Sequence, residues 1–307
     1  MRTRHSMDKA SPRLNRYFDV NGWLFVAPAV LLIAVFMVYP ILYSLWMSFQ
    51  TGRGMKMHFD LTANILRLFS DPMLGLALYN TMIFFIVQVP VMLILALLLA
   101  TMLDDKRVRF RGLIRTAIFL PCVSSLVAYS VLFKSMFVQD GLVNTTLLDL
   151  GLISSPIPWM TDPFWSRVLI IIAITWRWTG YNMIFYLAAL QNIDKSIHEA
   201  ARIDGVPAYG RFFFLTVPML KPVILFTTVT STIGTLQLFD EVRNIMTSDA
   251  GGAAGPSNSA LTLSVYIYNL TFKFMPNFGY AATVSYVIVI AVALLSLLQF
   301  YALRERT

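Results

Sequence analysis

Six stretches of this chain are almost free of charge and long enough to cross the hydrocarbon of a lipid bilayer: Trp23 to Phe49, Ala77 to Leu103, Thr116 to Phe133, Val168 to Ile193, Pro222 to Phe239 and Phe274 to Leu303. Arg177 is the one charged residue within them. A helix needs about 20 residues to span lipid, with some latitude for tilt. Hydrocarbon offers no partner to a bare peptide group, so apolar runs of this length fold as helices. Pro28, Pro40, Pro90 and Pro121 lie inside the runs, and a bundle tolerates such kinks because neighbouring helices satisfy the freed carbonyls. With 57% hydrophobic and 13% charged residues and a mean hydropathy of +0.68, the expected architecture is an all-α membrane protein of six transmembrane helices.

The basic residues between the runs set an orientation. Arg2, Arg4, Lys9, Arg13 and Arg16 precede the first run, and Lys106, Arg107, Arg109, Arg111 and Arg115 follow the second. Lys195, Arg202, Arg211 and Lys221 follow the fourth, and Arg304 and Arg306 close the chain. Against these 16, the opposite side counts 5: Arg53, Lys56, Arg67, Arg243 and Lys273, with neither Lys nor Arg between Val138 and Phe164. The positive-inside rule puts both termini in the cytoplasm. The first run is too long for a signal-peptide core and is expected to remain as an uncleaved helix. The organisation expected is one membrane domain over 23–303, with short cytoplasmic segments at 1–22 and 304–307. The outer stretch Asp249 to Pro256 is too rich in Gly and Pro for regular structure and reads as a flexible or docking loop.

Several function classes lose support. The net charge of +8 is accounted for by the inside bias, without a basic tract interleaved with stacking aromatics, so no nucleic acid is expected. Cys122 is the single cysteine, which excludes an internal disulfide. His5, His58 and His198 lack ligand spacing, so no metal site is expected. Absence of a G-x-x-x-x-G-K-[ST] loop means no expected nucleotide cradle. A membrane-embedded enzyme would need a nucleophile, base or metal set within the spans, and none is present.

Between the fourth and fifth runs lies Gln191 to Pro222, QNIDKSIHEAARIDGVPAYGRFFFLTVPMLKP. Asp194 or Ser196 can cap a short helix, and Gly205 stands where a helix ends in a left-handed residue. Pro207 suits the first turn of a second helix, which is expected to end before Pro218. Ala200 and Ala201 have small side chains that let another surface approach, while Glu199 and Asp204 are acids in a basic loop, suited to Arg or Lys of a partner. The same segment could instead rest on lipid headgroups through Ile197, Ile203 and Phe212 to Phe214, with Glu199 pairing to Arg202 on its own helix.

The spacing Glu199-Ala200-Ala201, Gly205, then Leu215-Thr216-Val217-Pro218 resembles the EAA motif of permeases in binding-protein-dependent ABC importers. Leu215, Val217 and Val206 are conservative departures from it. The resemblance extends along nearly the whole chain from about Trp23 and points to the carbohydrate branch, the maltose and glycerol-3-phosphate permease family. Tyr39-Pro40-Ile41, Ser48-Phe49, Asn80-Thr81, Phe119-Leu120-Pro121, Gly141-Leu142-Val143-Asn144, Asp204-Gly205, Leu236 to Asp240 and Phe278-Gly279-Tyr280 are similar to that branch; Thr247 to Pro256 departs from it. The resemblance implies a type I ABC importer permease fold with a cytoplasmic EAA coupling helix and a bacterial inner-membrane location. It implies a second permease as heterodimer partner, two copies of a cytoplasmic ATPase, an extracytoplasmic solute-binding protein and a sugar substrate. Glu199, Ala200, Ala201, Asp204 and Gly205 would be the ATPase-coupling residues. ATP and Mg would sit on the ATPase, with no cofactor on this chain.

Polar groups inside the spans nominate a solute pathway, since lipid penalises them. Trp178, Gly180, Tyr181 and Asn182 follow Arg177 on the fourth run, and Thr232, Thr235 and Gln237 recur at helical intervals on the fifth. Aromatic faces beside amides suit sugar rings. The same residues could instead be interfacial aromatics, a snorkelling Arg and inter-helix hydrogen bonds. The alternative to an importer subunit is a stand-alone secondary transporter or channel. Such proteins usually couple through buried acids, whereas here Asp240 lies at a span end and no other acid lies within a run.

Overall fold

The computed structural model describes residues 12–54, 56–105, 107–246 and 254–303. Most of Thr247 to Pro256, the tail arginines and Arg2, Arg4, Lys9 and Lys106 lie outside the described residues.

The first run forms α1 (Pro12–Ile33) and α2 (Tyr39–Ser48), joined through a π-helical turn at Ala34–Val38. The wide turn lets Tyr39 N–H reach the Ala34 carbonyl, which eases the entry of Pro40 into the helix. Next comes a hairpin absent from the sequence expectations, β1 (Gln50–Arg53) and β2 (Lys56–Phe59), antiparallel with Gln50 opposite Phe59. Asn64 of α3 (Ala63–Ser70) anchors it by donating to the Ser48 and Gln50 carbonyls.

The second run becomes α4 (Pro72–Asp104), which starts earlier than its apolar stretch because Asp71 caps it, accepting from Met73 and Leu74 N–H. The third run is not one helix. It divides into α5 (Arg111–Val123) and α6 (Leu126–Phe137), because Ser124 and Ser125 are extended, with ψ of 149° and 131°. Pro121 already lacks one helical donor, and the Ser124 hydroxyl bonds back to the Leu120 carbonyl. After α7 (Leu142–Asp149), Asp162 caps α8 (Pro163–Gln191), the most enclosed of the long helices, which packs most extensively on α4.

The segment that follows holds α9 (Lys195–Ile203), α10 (Ala208–Arg211), a π turn at Phe212–Thr216 and α11 (Val217–Met219). Pro207 is the cap before α10 rather than a first-turn residue. The second helix also runs past Pro218, since the π turn supplies room for the proline ring as it does before Pro40. A bend of 69° at Leu220 then leads into α12 (Lys221–Leu236). A break at Gln237 to Phe239 separates α12 from α13 (Asp240–Met246). After α14 (Leu263–Tyr268) and a π turn at Asn269–Lys273, α15 (Phe278–Leu303) completes the chain, starting four residues later than the sixth run because Phe274 to Asn277 is not helical. Among the described residues, five helical segments are long and apolar enough to cross a membrane, six if the bent pair is one crossing.

Polar bonds tie the helices at a few points. Tyr186 and Thr227 hydroxyls meet at 2.7 Å, Thr235 donates to Gln88 at 2.9 Å, and Gln299 donates to Thr232 at 2.6 Å. Other hydroxyls, as at Thr228 and Thr230, bond back to their own helix four residues earlier, which satisfies them in an apolar setting.

Candidate functional site: a polar cavity and a surface helix pair

A cavity of about 690 Å³ opens where α4, α6, α8, α12 and the break before α13 converge. Ile174, Arg177, Trp178 and Tyr181 of α8 share one helical face toward it, spaced by three, four and seven residues. Asn182 joins them, Gln88 and Met92 come from α4, Thr230, Ser231 and Thr235 from α12, and Gln237 from the break. Five of the six pathway residues expected from sequence therefore share this wall: Trp178, Tyr181, Asn182, Thr235 and Gln237.

Gly180 does not. It lies against α5, where an added Cβ would sit 2.1 Å from the Ile118 carbonyl oxygen, so its role is to let two backbones approach. Thr232 likewise faces α15 through Gln299 rather than the cavity.

Arg177 is 9% exposed and does not snorkel. Its Nε lies 4.0 Å from Oε1 of Glu241, and its guanidinium carbon sits 5.1 Å from the Tyr129 ring centre and 5.7 Å from that of Trp178. Glu241 is 6% exposed and accepts from the Trp178 indole at 3.3 Å. Sequence reasoning missed this acid because it stands beyond the apolar run, carried back into the protein by α13. The doublet Asp240-Glu241 directly after that run was the available signal. Gln88 was missed too, though an amide in the middle of an apolar run is one. Among the described residues no group of three or more His, Cys, Asp or Glu converges as a metal site would require.

On the other candidate surface, Asp194 caps α9 by accepting from Ser196 N–H at 3.0 Å, a bond that holds its carboxyl below the usual range. The helix ends in a Schellman motif: Val206 N–H reaches the Ala201 carbonyl and Gly205 N–H the Arg202 carbonyl, with Gly205 left-handed at φ 74°. Arg211 then donates from Nη1 to the Val206 carbonyl at 2.7 Å, fastening α10 to the turn. Glu199, Ala200, Asp204 and Gly205 are exposed, but Ala201 is only 7% exposed and packs within this chain, so it offers no surface of its own. Ile203, Tyr209, Phe213 and Phe214 extend the exposed face with apolar side chains.

A helical membrane bundle that encloses a polar cavity and carries a capped helix pair on one end has the architecture of a membrane transport subunit. Residues 72–306 match the family described as "Binding-protein-dependent transport system inner membrane component", and the chain belongs to that family. It is 71% identical over 293 residues to the lactose transport system permease protein LacF of Rhizobium radiobacter, covering 95% of this chain and 97% of the relative. It is 34% identical over 279 residues to the arabinooligosaccharides transport system permease protein AraP of Bacillus subtilis, covering 90% and 86%. A solved bacterial ABC transporter that imports the acidic polysaccharide alginate has a chain of the same fold, with TM-score 0.82 at 21% identity over 96% of this chain and 99% of that one. The type I permease fold expected from the sequence is thus present, and the membership removes support from the stand-alone transporter or channel.

Proposed function

We propose that this chain is a permease of an ATP-driven sugar importer and that its solute is a disaccharide such as lactose. One observation carries the reading: a cavity of about 690 Å³ walled by Trp178, Tyr181 and Asn182, in a chain 71% identical to a lactose permease. Such a volume suits a small ligand. Trp178 and Tyr181 meet edge to face at 5.7 Å and offer apolar faces to a sugar ring, while Gln88, Asn182, Thr235 and Gln237 offer amides and hydroxyls.

A second permease completes the pathway, and an extracytoplasmic binding protein delivers the sugar, in keeping with the family description. Two ATPase copies, carrying ATP and Mg, sit in the cytoplasm, where both termini also lie. Glu199, Ala200, Asp204 and Gly205 meet the ATPase, with Ile203 beside them, and Ala201 supports that surface from within. Reconstitution with the partner subunits tests this: ATP-dependent uptake of labelled lactose into proteoliposomes is expected only with the binding protein present. Uptake without ATP, or none with all partners supplied, contradicts the reading.

A further inference from the structure

The Arg177–Glu241 pair is built in a way that a purely structural ion pair is not. At 4.0 Å the two groups are too far apart for a hydrogen bond. The Nε and Nη1 of Arg177 are buried without a hydrogen-bond partner, and so is Oδ1 of Asn182 on the same wall. Glu241 accepts from the Trp178 indole. A buried guanidinium with unspent donors is costly. What these groups lack is a ligand that gives a hydrogen to a carboxylate and accepts one from a guanidinium at once, and a hydroxyl does both.

The wall also holds two carboxylates, Asp240 and Glu241, to one guanidinium. A solute carboxylate could satisfy Arg177 but would face both acids, and like charges at short range beside buried side chains repel strongly. We infer that Arg177 and Glu241 are the charge-selective element of this cavity, bridged by neighbouring hydroxyls of an uncharged sugar and closed to anionic sugars. The inference rests on the sugar-permease reading and adds to it the class of sugar admitted.

The test titrates the purified transporter assembly, without binding protein, with lactose and with lactobionate, its aldonic acid of similar size, by calorimetry. Wild type is expected to bind lactose at least about tenfold more tightly, the scale a misplaced charge imposes. Glu241→Gln should narrow that gap to about threefold or less, whereas Glu241→Asp, which keeps the charge, should retain it. Equal affinities in wild type, or an unchanged gap in Glu241→Gln, overturn the inference. If Glu241→Gln does not assemble, Arg177→Gln replaces it: two carboxylates then stand uncompensated and the gap should widen, an unchanged gap again overturning the inference. Lactose uptake that persists while the gap fails to respond sinks the inference alone. Absence of both lactose binding and lactose uptake sinks the sugar reading with it.

Discussion

Asn144 is fully buried and gathers the connection between α6 and α8 through four hydrogen bonds. Its Nδ2 donates to the Gln139 and Ile157 carbonyls, each at 3.0 Å, and its Oδ1 accepts from Ile157 N–H at 3.1 Å and the Trp159 indole at 3.0 Å. Trp159 in turn packs edge-on against Phe137 and Trp165, at 5.1 and 5.0 Å. Replacing Asn144 by Ala removes all these bonds and strands their partners. At a net of about 0.5–1.5 kcal/mol for each bond, the loss is on the order of 2–5 kcal/mol, allowing for water reaching some of the freed groups. Asn144→Asp keeps the two incoming bonds but turns a carboxylate oxygen toward two carbonyls, so it should lose as much or more. Hydrogen exchange of the Ile157 amide and the Trp159 indole N–H, with thermal unfolding of the purified assembly, measures the effect. If Asn144→Ala leaves both exchange and unfolding temperature at wild-type values, the four-bond account of this loop is wrong.

Gly205→Val should loosen the turn between α9 and α10 by about 1 kcal/mol or more, since a Cβ is strained at φ 74°; faster proteolysis within 195–219 is the readout. Asp71 links α4 to α14 and α15 by accepting from the Tyr266 and Tyr280 hydroxyls. Burial works against its charge, yet these bonds and those from Leu74 and Met73 N–H outweigh it and hold its carboxyl below the ordinary value. Its stabilisation is therefore complete above the unfolded value, about 4, and fades as pH falls through the lower folded value. Acid titration of unfolding should show that loss in wild type and not in Asp71→Asn. For orientation, an impermeant thiol reagent applied outside should label a cysteine at Ser154 and spare one at Arg109, on a Cys122→Ser background; the reverse pattern would invert the topology.

Most of the membrane spans were readable because hydrocarbon thickness imposes an unbroken apolar length that a soluble helix does not need. The left-handed Gly205 was readable because a small residue before Val206 and Pro207 closes a short capped helix. What escaped was decided by neighbours. In lipid the outer helix faces are as apolar as the packed ones, so periodicity could not show that Gly180 meets α5 while Trp178 and Tyr181 meet the cavity. Ala201 and Ala200 are identical in sequence terms, and only the packing of α9 buries one and exposes the other. The break at Ser124 and Ser125 turns on backbone conformations that two serines allow but do not demand. Glu241 sat outside every apolar run, and the turn into α13 brought it beside Arg177.

The central claim, that α9 couples an ATPase to sugar movement through this chain, is tested most directly by uptake and hydrolysis in one preparation. The assembled transporter carrying Ala200→Trp and Glu199→Lys, both at exposed positions, is reconstituted with binding protein and labelled lactose. Bulk and reversed charge on the docking face should each break a contact worth about 1–3 kcal/mol. The account predicts that ATP-driven uptake falls at least about tenfold, by loss of the ATPase or of its stimulation, while the two permeases still copurify. Uptake, ATPase retention and stimulated hydrolysis all at wild-type level in both variants would contradict it.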